Sequence, residues 1–307
     1  MSTVYEIVTN RILEMLEKGV IPWARPWRGG ELSPRSLMTG HAYRGINVLL
    51  TGCQSYESPY WLTYRQALEV GAQVRRGEKG TPIVFWSTRG VEDQGGTQKE
   101  GKKKEIPIIR FYTVFNVAQV EGLKLSRKTL YPGTLAEPQP PIEWAERIAR
   151  DFKGCPEIRE GMDHACYRPS DDVIEIPSRE SFTSSEGYYS VLFHEMTHAT
   201  GASGRLNRDT LRKIAAFGDH SYSQEELVAE LGSAYLCAEA GIGARVIENQ
   251  ASYIDGWVRA LKADSRAVIT ASAQAQKAVD WILEKRAVQE SSETVSLDAV
   301  VTERGTA

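Results

Sequence analysis

Cysteine is scarce in this chain, four residues in 307, and no two of them form a CxxC pair. That spacing argues against a cysteine zinc site and gives no disulfide framework, so Cys53, Cys155, Cys166 and Cys237 read as reduced, partly buried thiols. A Cys155–Cys166 bridge is the one alternative. Long apolar runs are missing too: none approaches the ~20 residues of a membrane-spanning helix, and the N-terminus lacks a signal-peptide pattern. The expectation is a soluble, cytoplasmic protein with no membrane partner. Histidine is also sparse, with five residues, yet two of the five stand four positions apart.

Those two belong to His194-Glu195-Met196-Thr197-His198, an HExxH motif of the zincin metallopeptidases. At 3.6 residues per turn, positions i and i+4 share a helix face, so both imidazoles can reach one tetrahedral ion. Glu195 then faces the open fourth position as general base. Ser184 and Ser185 suit an N-cap, Glu186 a first turn and Gly201 a stop, predicting a helix over about 186–200.

A third ligand is expected from a second helix beginning after Ser223, where Glu226 and Glu230 share a face. Gluzincins carry a similar ExxxD/E/N helix, and that resemblance implies Glu226 as ligand and Glu230 as the acid orienting a ligand histidine. The reverse assignment stays open, because Glu230 lies among apolar residues. Glu225 reads as a solvated first-turn acid favoured by the helix dipole. Zinc is the first expectation for the ion, with manganese or another divalent metal as alternatives. Tyr188, Tyr189, His220 and Tyr222 are candidates for an oxyanion donor, with none preferred, while His41 and His164 have no ligand-type spacing. A hairpin of residues 164–168 and 173–176, with Asp171 and Asp172 at its turn, could hold a peptide along its edge.

The net charge of −3 hides a division: residues 1–136 carry +7 and the remainder −10. The change coincides with a linker over 131–141 containing four prolines. The chain thus reads as α+β with a basic domain over 1–136, an acidic one over 137–290, and a Ser/Thr/Glu-rich tail over 291–307 expected to be disordered. In the first domain the patterns predict a helix over 4–18, a helix over 60–70, and strands near 82–87 and 106–115 pairing as a hairpin across a Gly/Lys-rich loop. A helix is expected to open the second domain near Ile142.

Trp23-Ala24-Arg25-Pro26-Trp27-Arg28 interleaves aromatic and cationic side chains, the combination that stacks on bases and neutralises phosphates of single strands. Tyr56, Tyr60, Trp61, Tyr64 and Arg65 form a second cluster, and Arg75, Arg76, Lys79, Lys102, Lys103 and Lys104 add charge. Trp61 and Trp86 read as core residues.

Five short motifs in order carry a resemblance: Gly19–Trp23 with Pro26-Trp27, Tyr43–Asn47, Trp61–Tyr64, Arg76–Gly80 and Val114–Val117. With the HExxH helix and Glu225–Glu230, they resemble the ArdC antirestriction family of conjugative plasmids, whose N-terminal domain also occurs on TraC-like primases. The resemblance implies a single-stranded-DNA-binding domain with a β-hairpin, joined to a zincin-like metallopeptidase domain. It implies protection of incoming plasmid DNA in the bacterial cytoplasm, the recipient's included. It leaves duplex DNA as a further ligand, and a host protein as an unidentified substrate. The DNA contacts expected are Trp23, Arg25, Trp27, Arg44, Tyr64, Arg76, Lys79, Lys102, Lys103 and Lys104.

Overall fold

The computed structural model describes residues 3–24, 33–54, 56–91, 104–126, 130, 141–212, 220–242 and 250–284. Arg25, Trp27, Lys102 and Lys103 lie outside them, as do the side chain of Lys104, the proline-rich linker over 131–140 and the expected tail.

Helix α1 (Val4–Glu17) starts in a reciprocal Thr3–Glu6 capping box and ends before Gly19, whose φ of +74° is costly for any side chain. Its buried stripe is Val8, Ile12, Leu13 and Leu16. Strands β1 (Arg35–Ser36), β2 (Tyr60–Thr63), β4 (Thr81–Val91) and β5 (Lys104–Asn116) form one sheet in the order β1-β2-β5-β4. The long antiparallel β4–β5 hairpin is the one anticipated, extended at both ends. Strands β3 (Gln73–Val74) and β6 (Val120–Glu121) pair separately.

The helix expected over 60–70 is split. Its first four residues are strand β2, and only Tyr64–Glu69 is helical, as α3. Tyr-Trp-Leu-Thr suits a pleated surface, and pairing with both β1 and β5 buries Trp61 and Leu62. Thr63 then caps α3 with Gln66, so the change of structure is written in a capping box. Helix α2 (Ile46–Gly52) is tied to β4 by Asn47, whose amide donates to the Val84 carbonyl and accepts from its N–H, each at 2.7 Å.

In the C-terminal half, α4 (Pro141–Asp151) precedes a three-stranded sheet of β7 (Glu157–Glu160), β8 (Cys166–Arg168) and β9 (Val173–Ile176). The order β7-β9-β8 leaves β8 at an edge, with the expected hairpin turning at Asp172 (φ +51°). Then follow α5 (Ser185–Ala199), a short α6 (Asp209–Arg212), α7 (His220–Ala240), α8 (Gln250–Ala263) and α9 (Ala267–Ile282). Helix α7 begins earlier than the Ser223 start anticipated.

One apolar cluster holds α1, Trp23 and α2 together with α4, α5, α7, α8, α9 and the β8–β9 hairpin. A smaller cluster lies beneath β2, α3 and β6. Among the described residues no helix is long and apolar enough to cross a membrane.

Candidate metal centre

Helix α5 is capped by the Ser184 hydroxyl, which accepts from the Gly187 N–H at 3.1 Å, and it stops at Thr200. This fixes the rotation that points both histidines toward α7. The α5–α7 crossing is close because residue 232 is glycine: a Cβ there would stand 2.5 Å from the Thr197 methyl. Any larger side chain would part the two helices that carry the donors.

His194 Nε2 and His198 Nε2 are 3.2 Å apart, and the two Glu226 oxygens lie 3.5 Å from the first and 3.4 Å from the second. Two imidazole nitrogens and a carboxylate therefore converge, a donor set that fits a borderline divalent ion. Glu230 is not in this cluster. Its carboxylate faces the other ring nitrogen of His194, Nδ1, at 4.0 Å.

Glu225 overturns the expectation of a solvated acid. It is fully buried and lies 3.3 Å from His198 Nδ1, so it, rather than Glu230, meets a histidine at hydrogen-bond distance. Arg208, itself buried, donates to both Glu225 oxygens, and its other bonds go to the Thr200 hydroxyl at 2.6 Å and the Thr197 and His198 carbonyls at 2.7 and 3.3 Å. Thr210 donates its hydroxyl at 2.5 Å. Burial alone would raise the Glu225 pKa, but His198 and Arg208 hold it down at about 2. Burial likewise opposes a charged His198, yet Glu225, Glu226 and Glu195 push it up to about 10. The same two histidines depress Glu226 against its burial. The centre attracts positive charge, whether proton or metal.

Glu195 is buried, and its Oε2 accepts the backbone N–H of Tyr167 on β8 at 2.7 Å. The edge strand thus lies directly beside the candidate base. Arg205 fastens that hairpin to the end of α5 through the Ala199 carbonyl at 2.6 Å, the Tyr167 hydroxyl and Asp172. Of the oxyanion candidates, Tyr188 and Tyr189 are buried with hydroxyls donated to Glu160 and Glu146.

Trp23 does not offer a stacking face. It is 2% exposed, donates its indole N–H to the Tyr253 hydroxyl at 2.9 Å and packs edge-on against Trp257. The polar-looking Trp/Arg/Pro sequence hid an apolar partner on α8. Arg44 is committed as well, ion-paired to Asp280 on α9. Tyr64 is 48% exposed, and Arg76 and Lys79 are exposed. The unanticipated aromatics are on the β4–β5 hairpin: Trp86, Phe111 and Tyr112 are each more than 40% exposed. Neighbouring aromatics in one strand point to opposite faces, so a ribbon cannot bury them all.

Residues 2–115 match the family described as the N-terminal domain of anti-restriction factor ArdC, and residues 144–274 match the zincin-like metallopeptidase family. The antirestriction ArdC protein from the R388 plasmid, in its metal-free structure, aligns with a TM-score of 0.70 at 36% identity, over 92% of this chain and 97% of that one. The chain belongs to the ArdC family. The Mn(II)-bound structure of the R388 protein matches at a TM-score of 0.68, with 37% identity over 92% of this chain and 98% of that one. Uncharacterized protein y4eC of Sinorhizobium fredii (strain NBRC 101917 / NGR234) is 36% identical over 91% of each chain. DNA primase TraC of Escherichia coli is 37% identical over 94% of this chain, but the ArdC-family chain spans only 28% of that primase and 20% of a second TraC.

Proposed function

We propose that this ArdC-family chain is a plasmid antirestriction protein that binds single-stranded DNA and acts as a metallopeptidase in the bacterial cytoplasm. The observation that carries the reading is the convergence of His194 Nε2, His198 Nε2 and the Glu226 carboxylate beside Glu195 and the β8 edge. These three residues would hold a divalent ion, zinc or the manganese that the R388 relative binds. When bound, the ion supplies Lewis-acid polarisation of a scissile carbonyl. Glu195 takes a proton from the attacking water and returns it to the leaving amine, while the Tyr167 N–H holds its other oxygen in place. Glu225 orients His198 through Nδ1, and Arg208 keeps Glu225 ionised. A peptide lies along β8 as an added strand.

The DNA surface is the hairpin rather than the Trp23 segment. Trp86 and Phe111 supply stacking faces on one side of the hairpin and Tyr112 on the other, with Tyr64, Arg76, Lys79 and Arg110 exposed in the basic domain and Lys102, Lys103 and Lys104 between Trp86 and Phe111 in the sequence. Each stacked base is worth roughly 1–3 kcal/mol, so Trp86→Ala with Phe111→Ala, which share a face, lowers single-strand affinity at least about thirtyfold.

The deciding variant is Glu195→Gln, assayed for bound metal, single-strand binding and plasmid transfer into a restricting host. Retained metal and DNA binding with lost protection supports the peptidase. Full protection by the variant would replace this reading with that of a DNA-covering protein whose metal site is structural.

A further inference from the structure

A second set of metal-type donors lies on the β8–β9 ladder rather than on the two helices that carry His194, His198 and Glu226. Cys166 and Glu175 are directly opposed across the β8–β9 ladder, and His164 lies two residues ahead of Cys166. The Cys166 Sγ is 3.8 Å from Glu175 Oε2, and one donor atom from each of the three residues lies within 4.8 Å of the others. Arg168 donates to the remaining Glu175 oxygen at 3.0 Å, which turns Oε2 toward the thiol.

We propose that His164, Cys166 and Glu175 form a second, thiolate-containing site for a zinc-type cation, with its fourth position open to solvent. Tetrahedral coordination at typical Zn–S, Zn–N and Zn–O lengths separates neighbouring ligand atoms by about 3.3–3.6 Å. The Cys–Glu pair therefore needs to close by only a few tenths of an ångström. The larger adjustment falls on His164, which is exposed and free to swing, while Glu175 is buried and anchored. Sequence spacing gives no hint of the set, because strand pairing rather than a helix turn assembles it. Binding replaces the Cys166 thiol proton, which passes to solvent. Sulfur ligation favours zinc and cobalt over manganese, so the two centres differ in metal preference.

The test is a Co2+ titration of the metal-free full-length protein, read by absorption. A near-ultraviolet thiolate-to-cobalt charge-transfer band is expected, because the histidine–glutamate centre holds no sulfur. Cys166→Ser abolishes the band and removes one equivalent of bound cobalt, and His164→Ala shifts the band's midpoint to at least about tenfold higher cobalt, by analogy with lost metal-site partners. Cys155→Ser leaves the band intact. In His194→Ala/His198→Ala the band persists, which separates this site from the peptidase reading. Absence of the band at saturating cobalt, or its survival in Cys166→Ser, overturns the proposal.

Discussion

Glu225→Gln isolates the part of the centre that lies behind the metal donors. The substitution keeps the volume but removes a carboxylate that is fully buried and bonded to Arg208, Thr210 and His198. Arg208 is 4% exposed, so its charge has no water to turn to. Breaking a buried pair from one side costs roughly 3–5 kcal/mol. At about 2–4 °C per kcal/mol for chains of this order, the melting temperature should fall by roughly 6–20 °C. His198 also exchanges a charged acceptor at Nδ1 for a neutral amide, and disturbing such a partner weakens metal affinity by up to about 10- to 100-fold. Scanning fluorimetry reads the first effect and competition against a chelator the second, with Mn2+ and Zn2+ tested separately. Removing both partners, as Arg208→Met with Glu225→Leu, should cost less than the two single changes added together, because no charge is left stranded. A Glu225→Gln protein that melts within about 2 °C of the parent and binds metal equally well would refute this account of the buried pair.

Trp23→Ala should cost stability, about 3–5 kcal/mol as for other buried aromatics, rather than act selectively on DNA affinity; chemical denaturation against single-strand binding separates the two. Gly232→Ala should part α5 from α7, lowering stability by about 1–3 kcal/mol and metal occupancy with it, measured by denaturation and elemental analysis. Arg205 and the Tyr167 hydroxyl hold the Asp172 pKa below its ordinary value, so its ion pair stabilises the fold above the unfolded value and is lost as pH falls through the lower folded one. Asp172→Asn, which also tolerates the left-handed φ, should flatten that acid limb of the denaturation profile by up to ~1 kcal/mol, half of the side chain being in water. Residues 137–290 expressed alone should bind a hydrophobic dye and melt without cooperativity, because α1 is missing from their core.

The elements set by local signals were readable from the residues: α1 from its apolar spacing and glycine stop, α5 from the serine cap and HExxH, the β4–β5 hairpin from its two β-branched and aromatic runs. Glu225 was not, because its burial depends on an arginine 17 residues away and on a threonine beside it. An acid in that stretch looks the same whether it faces water or a guanidinium. The Tyr43–Asn47 motif hid its structural work for a similar reason. Asn47 substitutes for a strand partner of Val84, and Arg44 anchors to α9, contacts that no periodicity encodes. Trp23 and Trp86 exchanged the roles expected of them, since a tryptophan's fate is decided by whether another element arrives to cover it.

That covering joins the two halves. Trp23 belongs to the segment matched by the ArdC N-terminal family, yet its indole N–H ends on Tyr253 of α8, within the segment matched by the metallopeptidase family. Tyr253 in turn lies near enough to Glu230 that, after burial, the carboxylate raises its pKa, and the Glu230 carboxylate stands 4.0 Å from His194 Nδ1. A short polar path therefore runs from the N-terminal half to a candidate metal donor, through side chains that are buried or nearly so and so have few other partners. Helix α1 packs on α8 and α9 along the same seam. The Arg44–Asp280 and Lys262–Glu17 ion pairs also cross between the halves, but the body of the seam is tryptophan, tyrosine and aliphatic side chains that salt does not screen. Metal donors and N-terminal half are consequently parts of one packed unit, in which a cavity made at Trp23 is felt at Tyr253 and the α8 backbone before solvent can fill it.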